Sequence, residues 1–322
     1  MTIERVLSVK EKKANVNTFF SVIKNLFFLL IFFQFAPTIF SNLKEQLTES
    51  ISPKTQVGYI TIKGMLSNSN FFVKKIREFH KDENIKALLL KIDCPGGLPG
   101  SAQAIFNELK HFKKDKPVVT LTENMCTSAA YYVASASDKI IAPASSLMGG
   151  IGVFLQLPNV KELLESWKVK FQFIQKGEYK TAGSPLKDQS PAELAYLQGL
   201  ADGNYVQFTK DVAESRKIDL RKEKTWANGK VFLGAHAKQL GLVDIIGSYQ
   251  EAEDALKKLA KIPESEEIKL VAPKRPSAIA RLFGGEEDYE SGSELSSKVA
   301  TFLHETYNKF FEKQSTQHVM NQ

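Results

Sequence analysis

Ser128 heads a run of small and apolar residues, Ala129-Ala130-Tyr131-Tyr132-Val133-Ala134, behind the β-branched, apolar stretch from Pro117 to Thr122. The pattern predicts a buried strand that turns sharply into a helix. A residue at such a turn stands where backbone N–H groups are unpaired and the helix dipole favours negative charge. A hydroxyl exposed there, with an amide beside it to hold an oxyanion, is what an acyl-transfer nucleophile needs. Serines are also common helix caps, so the position alone leaves both readings open.

A serine nucleophile needs a base. The five histidines are His80, His111, His236, His304 and His318, and none falls in an evident active-site loop. Lysine is the other base available to serine when burial keeps it neutral. Lys180 fits: it follows an apolar stretch, lies between Gly177 and Gly183, and has Tyr179, Ala182 and Pro185 as neighbours. Most lysines, however, are solvated surface charges.

The elements that must position these groups can be read in order. Strands are expected at 57–62, 86–92, 117–122, 139–142, 169–175 and 268–272, and helices at 71–80, 101–114, 129–136, 159–167, 191–217 and 248–261. Strands alternating with helices imply an α/β fold with a mostly parallel sheet and right-handed crossovers. Beyond about Pro276 a polar break at Gly284–Asp288 precedes an apolar stripe from Leu295 to Phe311, expected as an amphipathic helix in a tail over 276–322.

Residues 19–40 run FFSVIKNLFFLLIFFQFAPTIF, with Gln34 the single polar residue between Leu26 and Ala36. That is about the twenty residues a helix needs to cross a membrane. No Ala-x-Ala-like cleavage site follows, which favours an uncleaved anchor over a signal peptide. Arg5, Lys10, Lys12 and Lys13 precede the span, so a cytoplasmic segment at 1–18 and an extracytoplasmic remainder are expected. Residues 41–55 read as a linker, and 56–275 as the soluble domain.

Composition narrows the class. With 322 residues, 43% hydrophobic and 25% charged, the chain has the make-up of a globular protein with a sizeable core. Its net charge of +7 is scattered, without a basic block interleaved with aromatics, so nucleic acid is not an expected partner and a membrane is. Two cysteines, Cys94 and Cys126, with no C-x-x-C spacing, argue against a structural zinc site and a disulfide framework, and no metal or other cofactor is expected. They flank the proposed site, where a regulatory disulfide is conceivable beside the ordinary reading of small buried thiols.

The order Asp93-Cys94-Pro95-Gly96-Gly97, Ser128-Ala129-Ala130-Tyr131-Tyr132 on to Asp138-Lys139, Gly149-Gly150-Ile151-Gly152-Val153, Tyr179-Lys180 with Ala182-Gly183-Ser184-Pro185, and Ala235 to Val243 resembles the signal peptide peptidase A family. The resemblance covers roughly residues 56–272 together with the anchor. It implies a ClpP/crotonase-like spiral of β-β-α units behind one transmembrane helix. It also implies a Ser-Lys peptidase of the bacterial inner membrane, with the catalytic domain periplasmic or otherwise extracytoplasmic. Ser128 matches the family nucleophile and Lys180 its general base. The amide of Ala129 and one from Gly96-Gly97 would form the oxyanion hole.

The implied activity is endoproteolysis of remnant signal peptides or hydrophobic membrane-protein fragments, in a ring- or dome-shaped homo-oligomer. Two other readings share the fold: a non-catalytic membrane scaffold, and a crotonase-type acyl-CoA enzyme, which would need acidic groups over the oxyanion loop. Three positions depart from the family pattern. Ala129-Ala130 replaces Gly-Gly after the nucleophile, Asp93-Cys94 replaces Asn-Ser, and Gly150 stands where a lysine-orienting serine is expected. Ser146, Thr181 or a water is expected to take over that last role.

Overall fold

The structure, a computed structural model, describes residues 24–30, 32–37, 40 and 54–273. The chain divides into two units between Lys54 and Thr55. In the first, residues 24–30, 32–37 and 40 are helical, while 19–23, 31, 38 and 39 of the expected anchor lie outside the described residues. Among the described residues no helix is long and apolar enough to cross a membrane. The amphipathic helix expected between Leu295 and Phe311 also lies outside them.

The second unit is built on a mixed sheet with alternating strands and helices. β1 (Thr55–Lys63), β2 (Ile85–Cys94) and β3 (Val118–Thr127) lie side by side and parallel. β8 (Ile268–Val271) closes the far side of β1, again parallel. β2 is apolar and buried from Ala87 to Leu90, where both its faces are covered. Leu88, Leu90 and Ile92 join the larger core, whereas Ala87 and Leu89 join a smaller one on the opposite face. The larger core receives α1 (Asn70–Lys81), α2 (Pro99–Phe112) and α3 (Ala129–Ser135). α1 buries Phe72, Ile76 and Phe79, a stripe at helical spacing.

On its other edge β3 has two partners in succession. Val119–Leu121 pair with β4 (Lys139–Ala142), whose other edge takes β7 (Ile245–Ile246), and Met125–Thr127 then pair with β5 (Leu147–Gly149). The changeover coincides with an irregularity against β2. Ile92 faces Thr122 and Cys94 faces Cys126, so one residue of β2 stands opposite three of β3. Such a bulge bends and re-aims a strand. Lys91–Glu123 (2.8 Å) and Asn124 Nδ2 to Asp93 Oδ2 (2.9 Å) hold the surplus residues outside the core. The last turn of β3, and with it Ser128, is thereby aimed away from the main sheet direction.

Beyond β5, a short helix α4 (Lys161–Ser166) and the long α5 (Pro191–Arg216) follow. α5 opens on Pro191 with a capping box in which Ser190 and Glu193 satisfy each other's backbone N–H groups. The remaining helices are α6 (Glu223–Trp226), α7 (Gly234–Gln239) and α8 (Tyr249–Ala260), the last covering the smaller core with Ala252, Ala255 and Leu256.

Two expectations need correction. Residues 169–175 form no strand. Their apolar, β-branched character suits a pleated surface, but a strand needs a neighbour, and among the described residues no ladder reaches them. Ile174 is left 97% exposed. In the other direction, the glycine-rich piece after Pro143 contains β5, which pairs antiparallel with β6 (Val231–Leu233), a strand too short to read from periodicity.

Candidate active site

Ser128 sits at φ 53°, ψ −127°, between the end of β3 and the first residue of α3. The other non-glycine residues at positive φ include Lys217 and Lys261, which end α5 and α8 in the ordinary left-handed cap conformation. Ser128 has a different ψ and ends no helix; it is a strained strand-to-helix elbow. Its backbone is fixed on both sides. The N–H donates to Gly149 O at 2.7 Å, and the carbonyl accepts from Tyr132 N–H at 3.0 Å. The side chain makes no capping hydrogen bond, which removes the helix-cap reading and leaves the hydroxyl available.

Facing Ser128 is the turn that ends β2. Gly96, at φ 125°, stands so close that a Cβ there would lie 3.2 Å from Ser128 Oγ. The turn is held from the other side by Leu66, whose N–H donates to Gly96 O and whose carbonyl accepts from Leu98 N–H, both at 2.8 Å. Thr127 Oγ1 ties the end of β3 to it through Pro95 O at 2.8 Å. Outside the regular ladders, neither Gly97 N–H nor Ala129 N–H takes a backbone acceptor among the described residues. These are amides from the two places the sequence singles out, one on each side of the elbow.

A cavity opens beside Ser128, walled by Tyr132, Val153, Phe154 and Phe208, with the carboxamides of Gln103, Asn204 and Gln207 along it. Among the described residues no histidine and no carboxylate lines it, so they do not supply the acidic groups that the crotonase-type alternative needs.

Lys180 is exposed and does not line this cavity. Its N–H closes a turn on Gly177 O at 3.2 Å, and among the described residues it makes no hydrogen bond to Ser128. The two hydroxyls expected to orient it are engaged elsewhere. Ser146 Oγ donates to Pro143 O, and Thr181 Oγ1 donates to Gln175 Oε1, each at 2.7 Å. Gly150, at φ 60°, has its Cα against the Ser128 backbone, where an added Cβ would stand 3.4 Å from Ser128 N. A side chain there would be both strained and tight.

Sequence reasoning missed the far wall. α5 brings Gln207 and Asp211 (one turn apart) behind Tyr132. Tyr132 Oη donates to Asp211 Oδ2 in a short hydrogen bond, and Gln207 Nε2 donates to the same oxygen at 2.9 Å. Burial, reinforced by the Asp211 carboxylate, pushes the Tyr132 phenol well above its ordinary range, so it remains a donor. The Tyr132 ring stacks on Phe208 with centroids 4.6 Å apart. Tyr132→Phe is expected to cost about 1–3 kcal/mol, since it leaves a buried carboxylate oxygen short of a donor. Urea denaturation of the two proteins measures this, and equal stabilities would remove Asp211 as an anchor of the wall.

Residues 110–263, which include Ser128, Lys180 and the Asp211 wall, match Peptidase family S49. A putative protease of Synechocystis is 32% identical over 242 residues, covering 74% of this chain and 87% of that protein. The chain belongs to Peptidase family S49. This is the family of signal peptide peptidase A, and a putative signal peptide peptidase of Enterococcus faecium is 32% identical over 199 residues. A putative protease of Methanocaldococcus jannaschii is 33% identical over 195 residues. The chain spans 62% of the Methanocaldococcus protein and 58% of the Enterococcus one. The S49 match starts within α2, so the Gly96-Gly97 turn is read from geometry and from the sequence motif rather than from that match.

Proposed function

We propose that this chain is a membrane-anchored serine endopeptidase of the ClpP/crotonase-like fold, with Ser128 as nucleophile and Lys180 as general base. The observation that carries the reading is the Ser128 elbow, a strained serine with an uncommitted hydroxyl between two available amides. Ser128 Oγ attacks the scissile carbonyl as its proton passes to the Lys180 amine. The oxyanion that forms is held by the N–H groups of Ala129 and of Gly96-Gly97. Lys180 then returns the proton to the leaving amine, and water releases the acyl group by the same steps in reverse.

Substrates are remnant signal peptides or hydrophobic membrane-protein fragments, in keeping with the aromatic walls of the cavity. The span at 19–40 anchors the chain in the bacterial inner membrane with residues 1–18 cytoplasmic and the catalytic domain outside. Assembly into a homo-oligomer uses the apolar surface between Phe154 and Ile174, where Phe154, Trp167 and Phe171 are exposed and the 169–175 segment has no strand partner among the described residues. Closure of that surface is the step that carries the Lys180 turn to a Ser128.

Casein cleavage and labelling by a serine-directed phosphonate, with the full chain in detergent micelles, test the proposal. Lys180→Ala should lose activity at least about 100-fold. A Lys180→Ala protein that cuts as fast as wild type would put the base elsewhere. A wild type that neither cuts nor takes the label would favour the non-catalytic scaffold, to which the exposed Lys180 outside the cavity lining also conforms.

A further inference from the structure

The chain's two cysteines are opposed on neighbouring strands. Cys94, at the end of β2, is the register partner of Cys126 in β3. Neighbouring strands lie about 4.8 Å apart, and paired residues send their side chains to the same face. That spacing falls inside the Cα separation of roughly 4.4–6.8 Å that a disulfide bridges. Both side chains belong to the larger core, both are fully buried, and both are thiols in this structure. Cys94 is also tied to the turn that faces Ser128. Its Sγ donates to Gly96 O and accepts from Gly96 N–H, each at 3.4 Å.

We infer that Cys94 and Cys126 form a dithiol–disulfide couple beneath the Gly96-Gly97 turn, and that its oxidation resets that turn against Ser128. The co-reactant is a small-molecule disulfide such as oxidised glutathione. One cysteine thiolate attacks it and releases one glutathione thiol; the other cysteine then attacks the mixed disulfide and releases the second. The protein loses two hydrogens and the reagent gains them. Forming the Sγ–Sγ bond turns the Cys94 sulfur towards β3 and withdraws it from both Gly96 contacts. Gly96 touches Ser128, so the turn and the elbow shift together. Burial raises both thiols above their ordinary range, Cys126 the more strongly. The couple therefore exchanges while the chain folds, or when the β2–β3 end opens, and slowly once the sheet is closed.

The full chain is refolded in detergent, one half with oxidised and reduced glutathione and the other with dithiothreitol, then alkylated under denaturing conditions and weighed. The dithiothreitol sample is expected to take two alkyl groups and the glutathione sample none. Hydrogen exchange over residues 94–98 is expected to differ several-fold between the two samples. Cys126→Ala should show the same exchange under both conditions. Two alkyl groups in the glutathione sample overturn the couple, and a disulfide with unchanged exchange overturns its hold on the turn. Turnover rests on the peptidase reading and is scored separately, with the oxidised form expected to be at least tenfold slower. If exchange responds but neither form cuts casein, the couple stands and the peptidase reading fails.

Discussion

Ser128→Ala is expected to abolish peptide hydrolysis, by at least about 10⁴-fold, while leaving the fold intact. The hydroxyl makes no capping bond whose loss would unfold α3, so the effect falls on chemistry alone. Ser128→Gly separates strain from chemistry. At φ 53° a residue with a Cβ stays where left-handed backbone costs about 1–2 kcal/mol, and alanine inherits that cost. Glycine escapes it but gives back about 0.5–1 kcal/mol through the entropy of the unfolded chain. The glycine variant is thus expected to be inactive and more stable than the alanine variant by up to about 1.5 kcal/mol. Casein turnover and guanidinium denaturation of the three proteins supply the comparison. An active alanine variant would dismiss Ser128 as nucleophile, and a glycine variant less stable than the alanine one would dismiss the strain.

Gly97→Ala is expected to be the most damaging single-atom addition at the site. A Cβ there would lie 2.0 Å from Leu66 O and 2.7 Å from Leu66 N. Those are backbone atoms, held by the Leu66–Gly97 bridge and by hydrogen bonds to Gly96 and Leu98, so they cannot step aside as a side-chain tip can. Overpacking of about 1–3 kcal/mol adds to two hydrogen bonds worth about 1 kcal/mol each, giving a loss of about 3–5 kcal/mol. Activity should fall with it, because the displaced turn carries the amide proposed for the oxyanion hole. Gly100→Ala is the matched control. It lies three residues on, inside α2, with nothing within 4 Å of its Cβ, and should stabilise by about 0.5–1 kcal/mol. If the two variants unfold at the same urea concentration, the close approach at Gly97 has no energetic meaning.

Much of this arrangement was legible before the coordinates. The Ser128 elbow could be read because its strand is β-branched and its helix is made of small residues, two patterns that local sequence carries on its own. The mixed sheet with alternating helices followed from the same periodicities. The bulge that aims β3 was not legible, since it depends on the register between β2 and β3, and register is a property of pairs of strands. The segment 169–175 failed for the matching reason: propensity describes what a strand surface tolerates and says nothing about whether a partner is present. Lys180 stands out by residue type and neighbours, and neither specifies how far a glycine-bounded turn stands from Ser128. The Tyr132–Asp211 contact spans 79 residues of sequence, and the one trace it left was Gln207 and Asp211 sharing a face of α5.

The pairing of β1 with β8 fixes when the domain can be finished. Thr55 faces Ile268, more than two hundred residues later, and Glu266 accepts from the Thr55 N–H at 3.0 Å. As the ribosome delivers the chain, β1 and β2 can pair early, but the outer edge of β1 waits for nearly the whole domain to emerge. At about 5–20 residues per second that wait is roughly 10–40 s, with a row of unpaired N–H and C=O groups open to other nascent chains. β8 has only four residues, and they seal the edge last. A chain that stalls before Ile268 has the residues of the elbow and of the Gly96-Gly97 turn, yet it presents an open sheet edge, so quality control by proteases and chaperones should be most sensitive to losses at this end.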